Sequence, residues 1–96
     1  MDEVKNNKEK NRYELSVNGK TAVAEYILNK QDVLFFTHTE VPDEHEGKGV
    51  ASKLLEAAFK DAEDRGLKIA PICPFVKSYI QRHPDWKKLL AEEHRF

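Results

Sequence analysis

The 96 residues carry 16 basic and 17 acidic side chains for a formal charge of -1, enough chain for one domain with a modest core and too little for separate catalytic and substrate domains. Neither sign gathers into a run, which argues against a nucleic-acid or membrane surface. The single cysteine excludes an internal disulfide, and no N-terminal apolar stretch resembles a signal peptide or a membrane span, so the chain reads as cytoplasmic.

Residues 1–11 are rich in Lys, Asn, Asp and Glu, with Val4 the only branched apolar side chain. Such a segment buries too little to offset ordering and is expected to be a flexible tail, leaving residues 12–96 as the domain. From Arg12 the pattern becomes period two, with Tyr13, Leu15 and Val17 on one face of a half-buried strand. Asn18-Gly19 predicts a type I′ hairpin, since both residues tolerate positive φ. A second strand is expected over Lys20–Leu28, and a third over residues 33–41, dense in β-branched and aromatic side chains. The three make an antiparallel meander.

Pro42 and Asp43 end that strand. Residues 50–65 then repeat at period 3.6, with Val50, Leu54, Ala58 and Ala62 in one stripe flanked by Leu55 and Phe59, and Gly66 stands where a left-handed C-terminal residue belongs. Residues 67–72 read as a short buried strand, parallel to the third because a helical crossover joins them. Pro74 opens a further helix running to about His83, where Pro84 stops it, and a final short helix is expected over residues 86–93. The fold class is α+β in two layers: a meander plus one βαβ crossover, with helices packed on the sheet.

Between the third strand and the long helix lies Glu46-Gly47-Lys48-Gly49-Val50-Ala51. Glycines at a helix mouth let consecutive N–H groups turn toward one point, and the helix adds unpaired donors and the positive end of its dipole, a setting that suits a phosphate. The same glycines also suit a plain tight turn, and the loop alone does not separate the two. Cys73 directly precedes Pro74 and so caps the next helix. There its sulfur faces a positive dipole end that favours the thiolate, or it is a small buried thiol that fills space. Tyr79, a turn and a half further, is either a proton donor for a departing thiolate or a core aromatic. His38 alternates with Phe36 and reads as a core or rim residue rather than a base. His45, His83 and His94 have no metal-ligand spacing with one another or with Cys73, so no metal is expected.

The meander, the EGKGVA loop with its helix, the crossover strand, the HTEVP run and CPFVKSYIQRHPDW together resemble the GCN5-related N-acetyltransferase (GNAT) superfamily. Within it they resemble the small single-domain branch of YjdJ-like or GNAT-like N-acetyltransferases. These motifs span residues 36–86, about half the chain. The resemblance implies acetyl-CoA as cosubstrate. The superfamily pattern Gln/Arg-x-x-Gly-x-Gly/Ala falls on Glu46, Gly49 and Ala51. By the resemblance, the amides of Glu46, Gly47, Lys48, Gly49, Val50 and Ala51 hold the pyrophosphate. Glu46 departs from the usual Gln or Arg and adds like charge beside an anionic ligand. Thr39, Glu40 and Val41 would offer main-chain groups to pantetheine and the thioester carbonyl, Tyr79 would protonate the leaving thiolate, and Cys73 would lie near the acetyl group.

The implied reaction is acetyl transfer to an amine: a protein lysine or N-terminus, a polyamine or another small amine. Direct attack is the expected route, and an acetyl-Cys73 intermediate is the alternative. The chain lacks the N-terminal helical region that commonly walls the acceptor site, so a partner or homodimer is expected to complete it. A non-catalytic module that binds acetyl-CoA or CoA is the competing functional reading.

Overall fold

The computed structural model describes residues 3–43 and 49–96. Its five strands follow chain order across one sheet: β1 (Lys5–Asn7), β2 (Arg12–Val17), β3 (Lys20–Leu28), β4 (Val33–Glu40) and β5 (Lys68–Pro71). The first four are antiparallel neighbours, and β5 runs parallel to β4, pairing Val33 with Lys68 through Phe36 with Pro71. Helix α1 (Val50–Asp64) makes the crossover and α2 (Pro74–Arg82) follows β5. The expected α+β architecture is therefore present. Among the described residues no helix is long and apolar enough to cross a membrane.

The local signals act as their chemistry dictates. Asn18 and Gly19 adopt φ of 52° and 79°, as a primed two-residue turn between twisted strands requires. The α1 stripe is fully used: Val50, Leu54, Leu55, Ala58, Phe59 and Ala62 are all buried. They meet Tyr13 and Leu15 of β2, Ala22, Ala24 and Tyr26 of β3, and Leu34 and Phe36 of β4, in one core that also takes in Val76, Tyr79 and Ile80 of α2. Both helices thus cover the same sheet face. Phe36 lies at its centre, with ring centroids 5.5 Å from Phe59, 6.2 Å from Tyr13 and 6.5 Å from Tyr26.

Three features differ from the expectations. Lys5–Asn7, inside the segment read as a tail, forms an edge strand on β2, held by Val4 packing on the core and by side-chain bonds: Tyr26 donates its hydroxyl proton to Asn6 at 2.6 Å, and Asn7 bonds Glu14. The final helix is absent. Pro84–Leu89 and Glu92–His94 are 3₁₀ turns, and Leu90 between them forms a parallel bridge with Ile69 that covers the outer edge of β5.

The third difference reshapes β4. Glu25 pairs with His38 while the next residue, Tyr26, pairs with Phe36, so Thr37 is an extra residue in the ladder, a β-bulge. Side chains alternate faces along a strand, and one extra residue inverts the alternation beyond it. Phe36 and Leu34 point to the helices before the bulge. After it Thr39, opposite the buried Ala24, takes that side, whereas His38 and Glu40 turn to the opposite face. An unbroken period-two strand would put His38 on the face of Phe36; the bulge puts it on the other, where its side chain is 55% exposed.

Candidate active site

Two strands that part company create the site. The β4–β5 ladder ends at Phe36 and Pro71. Pro71 has no N–H with which to continue it, the Ile72 amide folds back onto the Ala70 carbonyl at 3.1 Å, and the Cys73 amide bonds the Phe36 carbonyl at 2.8 Å. Beyond that last bond the chain turns into α2. Residues 38–40 remain paired to β3 on one side and, among the described residues, residues 37–40 face no strand on the other. Their main-chain groups line a gap in the sheet.

Helix α1 begins beside the end of β4 in sequence, and its first turn is built to be completed by something else. Its N-cap is Gly49 at φ 75° and ψ 10°, a left-handed conformation that costs an L-residue roughly 1–2 kcal/mol. Glycine provides no side-chain cap, and the first turn holds no acidic residue. The helical ladder starts with the Lys53 amide on the Gly49 carbonyl at 3.0 Å, so the amides of Val50, Ala51 and Ser52 have no acceptor within the helix. With the dipole behind them they form an electropositive end. No described atom lies within 4 Å of where a Cβ on Gly49 would stand. A groove of about 600 Å³ starts at Gly49 and follows Ser52, Lys53, Glu56, Ala57 and Lys60 along the exposed side of α1.

Cys73 is the N-cap of α2, as its place before Pro74 suggests, and is 8% exposed. Its sulfur lies 3.9 Å from Thr39 Oγ1 across the gap. Tyr79 is buried, its ring centroid 4.3 Å from that of His83 and 5.9 Å from that of Phe59, both rings tilted against it. Its hydroxyl points at the Ser52 carbonyl at 3.5 Å, and so toward the first turn of α1. Burial first, and then the Glu56 carboxylate, push its phenol above the ordinary value while Arg82 pulls the other way. At neutral pH Tyr79 therefore keeps its proton, the state an acid needs.

The sequence-derived site residues separate into three groups. Thr39, Cys73, Tyr79 and the amides of Gly49, Val50 and Ala51 border the helical side of the gap or the helix mouth above it; the Val50 side chain itself is core. Glu40 stands on the other face beside His38, and Val41 packs against the main core. Glu46, Gly47 and Lys48 lie outside the described residues. Sequence reasoning missed Thr37, whose bulge carries no compositional mark, and the Ser52 carbonyl, a main-chain partner that no side-chain pattern announces. Among the described residues no group of three or more His, Cys, Asp or Glu is placed to hold a metal ion.

Comparison with known proteins gives the chain that carries this arrangement a family. The family model described as GCN5-related N-acetyl-transferase matches residues 12–89. The chain belongs to this family. The GCN5-related chain is 28% identical to Protein NATD1 of Mus musculus over 83 residues, 84% of this chain and 76% of that one. It is 27% identical to Protein NATD1 of Gallus gallus over 84 residues, covering 85% and 76%. A GCN5-like protein from Staphylococcus aureus, solved in solution by NMR, superposes with a TM-score of 0.73 at 27% identity, over 93% of this chain and 87% of that one.

Proposed function

We propose that this chain is an acetyl-CoA-dependent N-acetyltransferase acting on an amine. The observation that carries the reading is the gap beside residues 37–40, open where β5 leaves the sheet, together with the first turn of α1, which has no side-chain cap and toward which Tyr79 of α2 points. The fit to acetyl-CoA is chemical. Three amides without acceptors within the helix match a pyrophosphate, Lys53 and Lys60 along the adjoining groove match an anionic nucleotide, and a strand edge unpaired among the described residues matches the amides of pantetheine. Glu46, Gly47 and Lys48 would complete the cradle.

In this reading the main chain of Thr39, Glu40 and Val41 orients the pantetheine arm and polarises the thioester carbonyl, where preorganised donors stabilise developing negative charge. Tyr79, held protonated, supplies the proton that the departing thiolate takes up. Cys73 borders the acetyl-binding end of the gap through its contact with Thr39. Direct attack by the amine asks nothing of that sulfur beyond packing, and it is the route we assign.

The test is release of free CoA from acetyl-CoA with a panel of primary amines, run beside calorimetric binding of acetyl-CoA to the wild type and Gly49→Glu. The reading predicts saturable binding, amine-dependent CoA release, and loss of both in Gly49→Glu with the fold intact by circular dichroism. Binding without turnover on any amine would leave a CoA-binding module. Absence of binding at millimolar ligand would overturn both. Intact mass after acetyl-CoA alone checks the route, since a stable gain of one acetyl group on Cys73 would contradict direct transfer.

A further inference from the structure

Residues 90–96 fold back along the outer edge of β5 and build a second recess beside the candidate active site. Leu90 bridges Ile69 in parallel and the Ala91 amide bonds the Ile69 carbonyl at 2.9 Å, so this strap runs in the direction of β5 toward its Pro71 end. Ala91 packs with Val33, Ala70 and Phe35 on the sheet face away from the helices, and the His94 ring stands edge-on to Phe35 with centroids 5.6 Å apart. A cavity of about 240 Å³ lies where the strap meets α2, with Pro71 and Lys77 on one side and residues 93–96 on the other. Pro71 is also where β5 stops pairing with β4 and the gap begins. The recess and the gap therefore flank the same end of β5.

The recess is cationic, and its cations are held in place. Lys77 Nζ and Lys87 Nζ each lie 5.1 Å from the centroid of the Phe96 ring, so cation–π attraction keeps the two ammoniums within about 10 Å of each other against their mutual repulsion. Arg95 adds a third positive charge. Its guanidinium reaches Glu92 only at 3.7 Å with both side chains exposed, a weak pairing that leaves it able to turn to a ligand. Among the described lining residues Glu93 is the one carboxylate.

We propose that this recess binds the acid group of the acceptor, and that the acceptor is a primary amine carrying a carboxylate or phosphate; this rests on the acetyltransferase reading above. The chain sets the spacing. Two extended residues, about 7 Å, separate Pro71 at the recess from Cys73 at the gap, and Ile72 between them is 51% exposed. An acceptor with its amine at the thioester and its acid beside Lys77 and Arg95 lays an alkyl spacer of that length across Ile72. An ω-amino acid such as 6-aminohexanoate has this shape. A carboxylate and a phosphate make the same charge-assisted bonds to ammonium and guanidinium groups, so the test carries both.

The experiment has two arms and uses the full chain. In the first, amide NMR in the presence of saturating CoA, which has no acetyl group to transfer, follows the addition of 6-aminohexanoate, 5-aminopentyl phosphate or 6-amino-1-hexanol. Saturable shifts at Lys77 and residues 93–96 with an acid, absent with the alcohol and lost in Lys77→Gln, are expected, and the acid that saturates at the lower concentration names the group. No shift with either acid, or equal shifts with the alcohol, would overturn the assignment. In the second arm kcat/KM is measured for the preferred acid and for the alcohol. The wild type is expected to favour the acid roughly five- to tenfold, through KM rather than kcat, because the contact is the same before and during transfer. Lys77→Glu, at an exposed position, is expected to bring that ratio below one while kcat/KM for the alcohol stays within about twofold. An unchanged ratio would mean that the acceptor does not reach the recess, and equal losses on both substrates would mean that Lys77 acts only through the fold; either overturns the proposal. CoA binding with the recess silent sinks this inference alone, whereas no CoA binding sinks the acetyltransferase reading beneath it.

Discussion

The two halves of β4 share a strand and have opposite duties. Residues 33–36 are paired to β5 and residues 34–36 to β3 as well, and Leu34 and Phe36 are fully buried. Of residues 37–40, Thr37 is the bulge and the other three pair only to β3; three of the four are exposed. Close packing leaves the first half no freedom, because every displaced atom is felt by its neighbours. The second half keeps its direction from the β3 ladder while its other edge is released. A rigid strand thus delivers unsatisfied main-chain groups to a defined place, which a loop of the same length would do less well.

The sharpest way to break this comparison is to remove its buried end. Phe36→Ala deletes the ring that meets Tyr13, Tyr26 and Phe59 and is expected to cost about 3–5 kcal/mol, read as a drop in the urea midpoint. A loss under about 1 kcal/mol would mean that the core does not centre there. Tyr79→Phe probes the helical border of the gap. Its hydroxyl makes one long bond, to the Ser52 carbonyl, so stability should change by less than about 1 kcal/mol, while kcat for acetyl transfer falls roughly 100-fold. An unchanged kcat would remove Tyr79 as the acid.

Alkaline pH sharpens the contrast between buried and exposed groups. Tyr13, Tyr26 and Tyr79 are all held above the ordinary phenol range, chiefly by burial; Tyr13 is also raised by the carboxylate of Asp61, to which it donates at 2.7 Å. In the unfolded chain phenols ionise near pH 10. Above that the unfolded state has shed protons the native state retains, so stability is full below pH 10 and declines by up to about 1.4 kcal/mol per pH unit for each such phenol. Phenolate absorbance should therefore lag the model-compound curve and rise together with loss of the fold. Titration of all three tyrosines near pH 10 with the fold intact would contradict their burial. The smallest effect belongs to the exposed half of β4: Glu40→Gln, beside the exposed His38, is expected to shift stability by no more than about 0.5 kcal/mol, measured by the same urea titration.

Most of the fold was legible because it follows from periodicity. The alternation in β2, the 3.6-residue stripe of α1, Asn18-Gly19, Gly66 and Pro74 are local statements, and each held its place. Interactions between distant residues were not legible. The edge strand β1 depends on Tyr26 reaching Asn6 twenty residues away, and polar composition alone argued for a tail. The bulge depends on how β3 and β4 settle against each other, and VLFFTHTE reads equally well as an unbroken strand. At the candidate site, the place of Cys73 as the cap of α2 was visible from its proline, and Tyr79 was suggested by its motif. The face on which His38 and Thr39 stand was hidden, because a period-two pattern carries no mark where an extra residue inverts it.

The account's central claim is that the second half of β4 and the first turn of α1 form one cofactor site while the first half of β4 is core. An amide NMR titration of the 96-residue chain with acetyl-CoA tests it directly. Saturable shifts at residues 37–41, at Gly49, Val50 and Ala51, and at Cys73 are predicted, with residues 33–36 nearly still and the response lost in Gly49→Glu. Shifts spread evenly along β4, or none at millimolar ligand, would contradict it.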